Sequence, residues 1–191
     1  LNDRKLTAKQ AKSRQKIIDA ASRLIVEKGI ENTSLADIAR ETDISKGTLY
    51  YYYASKDDLI FDLTERHMSR ITSDLLNLIA NGTEGVDATS TLTIVYETLV
   101  NAETRSRLHL YLVREALTGN EILRKRFLRK YQQWQSMLED SIQKLIPGIT
   151  NVKMKAQLII ASIDGYIIQS MLGNTDVPLA ETAELLTKNN Q

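Results

Sequence analysis

The residues best equipped for chemistry in this 191-residue chain lie in one run, Ser45-Lys46-Gly47-Thr48-Leu49-Tyr50-Tyr51-Tyr52-Tyr53. Four consecutive tyrosines cannot all enter one core. At helical spacing Leu49 and Tyr53 share a face, which sends Tyr50, Tyr51 and Tyr52 around the other sides. The chemistry on offer is hydrogen bonding rather than bond breaking. It comes from hydroxyls, from the Lys46 ammonium, and from the open N–H groups of a helix N-terminus, which favour phosphate. Small residues at Ser45, Gly47 and Thr48 would let that end approach a duplex closely.

Reactive alternatives find little support. The chain has no cysteine, hence no disulfide, thiolate metal site or cysteine nucleophile. Its two histidines, His67 and His109, have no glutamate three residues earlier, and there is no His-Glu-x-x-His, so neither a metal nor another cofactor is expected. No glycine-rich phosphate loop or Gly-x-Ser-x-Gly occurs. A helical-bundle enzyme is the remote alternative.

Two short helices must carry the tyrosine run. Ser34-Leu35-Ala36-Asp37 has capping-box spacing and opens a helix with Leu35, Ile38 and Ala39 on one face. A turn at Thr42-Asp43-Ile44 leads to a second helix from Ser45, which makes a helix-turn-helix over 34–52, a unit that fits a helix into the major groove. Leu35, Ile38, Ala39, Ile44, Leu49 and Tyr53 are predicted to bury against a helix over 9–28, whose Ile17, Ala21, Leu24 and Ile25 form an apolar stripe before Gly29. Lys46, Gly47, Thr48, Tyr50, Tyr51 and Tyr52 are left as candidate duplex contacts. Thr33, Ser34, Ser45 and Ser55 have the residue types of helix caps. Phosphate contact is expected as well at Thr33 and Ser45, and Ser34 joins the candidate DNA-binding set.

Beyond this unit, Ser55-Lys56-Asp57-Asp58 starts a long helix to about Ala80, followed by breaks at Gly82 and Gly85. Further helices are predicted near 87–102, 104–118, 121–146, 152–172 and 178–188, with stops at Gly119-Asn120 and Pro147-Gly148. Scarce glycine (8) and proline (2), with 42% hydrophobic residues, favour a helical chain with a real core. The expected fold is all-α with about nine helices, a DNA-binding head over 1–56 and a helical-bundle body over 57–191. Charge follows the same division: 11 Lys/Arg against 7 Asp/Glu in 1–56, and 14 against 17 in the rest. A basic end on an acidic body suits a polyanion partner. No apolar run is long enough to span a bilayer, so no membrane partner and a cytoplasmic location are expected.

The sequence resembles the tetracycline-repressor (TetR) family of bacterial regulators from Arg14 to about Leu59. The resemblance rests on Ile-Ile-Asp-Ala-Ala at 17–21, Glu-Lys-Gly at 27–29, Thr-Ser-Leu-Ala-Asp-Ile-Ala at 33–39, the run 45–53, and Ser-Lys-Asp-Asp-Leu at 55–59. It implies a three-helix DNA-binding head, a long connecting fourth helix, and an effector-binding body that dimerises through its last two helices. It also implies a phosphate contact from Lys56. Three positions depart from the family pattern. Asp43 stands where the turn usually has Gly, and Asp tolerates a left-handed backbone. Tyr52 replaces a frequent His, and Tyr53 replaces the usual Phe, so that its hydroxyl must find a partner or water.

The expected function is a ligand-responsive repressor, binding a palindromic double-stranded DNA operator as a homodimer and released by a small, largely apolar effector. The alternative is a helix-turn-helix activator or architectural protein without an effector, against which a sizeable apolar cavity would argue. Tyr96, Tyr111, Trp134, Met137 and Tyr166 either line an effector cavity or are plain core. Arg114, Asp164 and Gln169 lie in apolar surroundings and either anchor a ligand's polar group or pair across an interface. Arg114 and Gln169 join the five apolar candidates in the effector-site set. The basic residues Arg124, Lys125, Arg126, Arg129 and Lys130 read as the wet face of a helix. Residues 152–173 and 178–188 are the expected dimer surface, with Ile159, Ala161, Gly165 and Met171 at its centre.

Overall fold

The first unit is assembled around α1 (Ala8–Lys28), which turns its apolar stripe inward: Ile17, Ile18, Ala20, Ala21, Leu24 and Ile25 are all buried. The computed structural model describes residues 8–66, 69 and 87–188, in two units, 1–67 and 68–191. Gly29, at φ +82°, ends α1 in the left-handed conformation that glycine adopts without penalty.

Ser34 caps α2 (Leu35–Glu41) through a full capping box. Its Oγ accepts the Asp37 N–H (3.2 Å), and its own N–H reaches the Asp37 carboxylate (3.1 Å). Asp43 carries the turn at φ +54°, as the sequence predicts. Ser45 then caps α3 (Lys46–Tyr52), with the Thr48 N–H 3.0 Å from its Oγ. α2 packs on α1 and α3 on α2, burying Ile38, Ala39, Leu49 and Tyr53, whereas Leu35 and Ile44 remain half-buried at the margin.

A fourth helix, α4, is described over 56–66, and Ser55 accepts the Asp58 N–H at its start (3.0 Å). Leu59, Ile60 and Leu63 are fully buried, and Asp62 and Arg66 bond to Arg14 and Gln15 of α1. This part of α4 therefore belongs to the first unit, which extends past residue 56. The expected run of the helix to Ala80, the breaks at Gly82 and Gly85, and His67 lie outside the described residues.

The second unit contains α5 (Ala88–Val100), α6 (Glu103–Leu117), α7 (Glu121–Leu145), α8 (Val152–Met171) and α9 (Leu179–Thr187). Each lies within two residues of its predicted bounds, because Asp87 and Asn120 cap and Gly119 and Gly148 take positive φ where the chain turns. Pro178 sits just before the first turn of α9, at its N-cap. α7 packs on α6 and α8, and α5 on α8 and α9. Their shared core includes Leu92, Tyr96, Ile142, Ala156, Ile159 and Leu186. The buried Lys155 ammonium of α8 donates to the carbonyls of Leu186 (2.9 Å) and Lys188 (2.6 Å), satisfying acceptors that the end of α9 leaves without helical partners. Among the described residues there are nine helical segments and no strand.

Candidate functional site

α3 is held by one buried side chain, Leu49, and presents nearly everything else outward. Lys46, Gly47 and Thr48 are exposed, Tyr50 and Tyr51 are 55% and 70% exposed, and Tyr52 is half-buried. Tyr51 leans edge-on against Tyr52 (5.3 Å between ring centres) and its hydroxyl accepts from Gln10 of α1 (3.2 Å). A Cβ added at Gly47 would meet nothing nearer than the Ser45 hydroxyl, at 3.8 Å. The fold does not need a glycine there, so its missing side chain matters only to something approaching from outside.

Tyr53 closes the helix inward. Its hydroxyl donates to Asp62 of α4, and Arg14 of α1 donates to that hydroxyl (3.2 Å) and to both carboxylate oxygens (3.0 and 2.8 Å). Burial, reinforced by the hydrogen bond to Asp62, holds the Tyr53 hydroxyl protonated far above the ordinary tyrosine range. The partner that the sequence reading required for this hydroxyl is thus an ion pair between two other helices.

The remaining candidates at this end separate into surface and interior. Ser34 and Ser45 are exposed caps. Thr33 corrects the expectation of cap and phosphate ligand: it is buried, its hydroxyl donates to the carbonyls of Leu24 (3.2 Å) and Gly29 (2.8 Å), and its N–H to Ile30 (3.2 Å). Its polar atoms are spent inside the head. Lys56 is half-buried, with its ammonium against the Ile30 carbonyl.

The second unit encloses a cavity of about 140 Å³ between α5, α6, α7, α8 and α9, walled largely by Leu, Ile and Val side chains such as Leu92, Val95, Ile142 and Ile163. Trp134 and Met137 line it. Tyr96, Tyr111, Arg114, Tyr166 and Gln169, the other five effector candidates, are not in its wall. Tyr96 and Tyr166 spend their hydroxyls on Ser162 (2.6 Å) and Thr182 (2.5 Å) in the adjoining core. The Arg114 guanidinium lies over the Tyr111 ring (5.1 Å) and bonds to Glu115 (2.8 Å). Gln169 is exposed and accepts from Asn174 (3.2 Å).

The ionisable cavity groups that the sequence reading missed are Arg105 and His109, joined by Asp164, whose need for a partner it noted. Asp164 accepts from the Tyr131 hydroxyl (2.6 Å), with His109 Nε2 3.4 Å from its other oxygen. Arg105 and His109 stand four apart on α6, beside the buried Leu108 and Leu112. A charged residue in register with a buried stripe was the available signal.

On α8, Ile159 is 2% exposed and faces this cavity, which corrects its assignment to the dimer surface. The exposed apolar stripe instead runs through Met154, Leu158, Ala161 and Ile168 to Leu172, with half-buried Gly165 along it; Met171 is half-buried. On α7, Arg124, Lys125 and Arg129 face solvent, as expected of a wet face.

Residues 17–63 match the family of bacterial regulatory proteins described as tetR. The chain is 30% identical over 165 residues to the HTH-type transcriptional regulator YvdT of Bacillus subtilis, covering 83% of this chain and 82% of that protein. It is 33% identical over 85 residues to YuxN of the same organism, where the match covers 44% of this chain and 29% of that protein. In fold it is similar to Salmonella enterica GusR (TM-score 0.70, 23% identity, 96% of this chain and 97% of that one). It is similar as well to the Bacillus subtilis transcriptional regulator FadR, solved in complex with stearoyl-CoA (TM-score 0.67, 20% identity, 93% and 99%). A capped helix-turn-helix in one unit and a helical bundle in the other define a DNA-binding transcriptional regulator. The chain belongs to the tetR family of bacterial regulatory proteins.

Proposed function

We propose that this regulator is a repressor that binds a palindromic operator as a homodimer and releases it when a small, largely apolar effector enters the cavity of its second unit. The cavity carries this reading. An apolar chamber of about 140 Å³ matches in size the engineered cavity of roughly 150 Å³ that takes up benzene, and a DNA-binding protein with no effector has no need of one. FadR, of similar fold, is a regulator solved with an acyl ligand, which is in keeping with the reading.

Lys46, Gly47, Thr48, Tyr50, Tyr51 and Tyr52 meet base edges and backbone in the major groove, while Ser34, Ser45 and Lys56 contact phosphate. The stripe along α8 supplies a self-complementary surface: its positions recur at a spacing of four and three, the seam of paired helices. Two-fold symmetry then requires half-sites about 34–36 Å apart, or a multiple or modest widening of that. The protein acts in the cytoplasm, where the DNA is.

The test is a thermal-shift screen for small molecules, followed by titration of a hit with and without operator DNA. Effector and DNA must weaken each other by the same factor. Equal effector affinity in both conditions would mean that the cavity does not govern DNA binding.

A further inference from the structure

Among the described residues, three ionisable side chains stand in the cavity wall, and they differ in how much surface they leave open. Arg105 is 4% exposed, and the side chain of His109 is 7% exposed. Asp164, on α8, keeps 33% of its side chain open. Its Oδ2 accepts from the Tyr131 hydroxyl (2.6 Å), and its Oδ1 lies 3.4 Å from His109 Nε2, longer than an ordinary hydrogen bond. A carboxylate has about four lone-pair sites, so Asp164 can accept a further donor from the chamber.

We infer that this cavity selects small neutral alcohols and phenols, with the hydrocarbon body among the Ile, Leu and Val side chains and the hydroxyl donating to Asp164. The inference rests on reading the cavity as the effector site and adds the class of effector.

Three observations favour a neutral donor over an acceptor, an anion or a cation. The hydroxyls in the wall are already committed as donors to their own helices: Thr91 to the Asp87 carbonyl (3.0 Å), Ser141 to Met137 (2.8 Å) and Thr187 to Ala183 (2.8 Å). A ketone or ether would have to break one of these bonds to be recognised by it. Charge weighs against ions of either sign. A carboxylate would face the like charge of Asp164, and an ammonium would stand in the field of the Arg105 guanidinium, which Asp164 already attracts against the burial that lowers its pKa to about 10. A hydroxyl adds no charge to either group. Finally, the protein itself makes the bond in question: Tyr131 is a neutral phenol donating to this carboxylate, held protonated far above the ordinary tyrosine range by burial and by the charge of Asp164. A cavity of about 140 Å³ limits the body to a single ring or a short chain.

The test compares matched probes on the wild-type chain by isothermal titration calorimetry: phenol, toluene of nearly the same shape, benzoate and benzylamine. Phenol is expected to bind at least as tightly as toluene, although water solvates it better, and about ten-fold or more tighter than the two ions. Asp164→Asn keeps an acceptor for Tyr131 but removes the charge. It should lower the ratio of phenol to toluene affinity about five- to ten-fold while leaving toluene unchanged, the difference between a charge-assisted and a neutral hydrogen bond. Should Asp164→Asn fail to fold, the wild-type ranking decides. Tighter binding of toluene, benzoate or benzylamine matching phenol, a ratio unmoved by Asp164→Asn, or no binding of phenol at millimolar concentration overturns the inference. Phenol that binds as expected yet leaves operator affinity unchanged would keep the ligand class and remove the release mechanism. A hydrocarbon or an ion that binds in preference to phenol and releases DNA would do the reverse.

Discussion

The hydroxyl of Tyr53 donates to the carboxylate of Asp62, and Arg14 grips both, so the residue that ends α3 is tied at once to α4 and α1. Tyr53→Phe removes one partner and leaves the Arg14–Asp62 pair intact, so a loss of about 1 kcal/mol is expected. Asp62→Ala strands a buried hydroxyl and a partly buried guanidinium and should cost more, about 1–2 kcal/mol after discounting for the exposure of Arg14. Urea unfolding of both variants and the double variant checks this. Equal costs for the two single changes would mean that the hydroxyl, not the ion pair, holds the junction.

On DNA, Lys56→Ala should weaken binding about equally across sequences and reduce the salt slope by about 1. Thr48→Ala and Tyr51→Phe should change which sequences are preferred, since these side chains stand exposed on α3. Selection from a random duplex pool, followed by salt titration on the best site, separates the two behaviours. Unchanged preference in both α3 variants would remove them from base readout.

Ile168→Glu places a charge in the middle of the exposed α8 stripe without entering the protomer core. Sedimentation should show a shift from dimer to monomer at micromolar concentration, and operator affinity should fall with it, because each half-site then binds alone. A dimer that survives Ile168→Glu would place the interface elsewhere.

Alkaline pH should loosen the second unit through Tyr96. Burial first, and Tyr166 second, raise its hydroxyl from the ordinary 10 to about 12 against the opposing bond to Ser162. The folded form holds the proton longer than the unfolded chain, so this contribution is whole below about pH 10 and is lost as pH rises through about 12. Arg105 has the opposite sign, since its lowered pKa relieves the folded state over the same window and offsets part of the loss. Tyr96→Phe should therefore flatten the fall in denaturant midpoint between those two pH values; an unchanged slope would assign the fall to other groups.

The head was largely legible because its determinants act within a turn of helix. Ser34 with Asp37, Ser45 with Thr48, Gly29 and Asp43 each complete a local hydrogen bond or take a local backbone conformation, and residue type with spacing suffices to read them. The same holds for the bounds of α5 to α9, where caps and glycines mark the ends.

Local signals do not tell which side of a helix meets which neighbour, because each residue turns the face by about 100° and only packing fixes the zero of that angle. Hence Ile159 points into the cavity and Ala161, two residues on, faces out. Thr33, a cap by type, is drawn inside by the Leu24 and Gly29 carbonyls. The wall of the cavity depends on the same rule: His109 meets Asp164 across more than fifty residues of chain, through the packing of α6 on α8. The amino-acid sequence by itself determined where the helices begin and end and that two of them form a DNA-reading unit, through bonds that close within four residues. The partners of its buried charges were decided by tertiary structure alone, because those contacts join segments whose relative rotation no local pattern encodes.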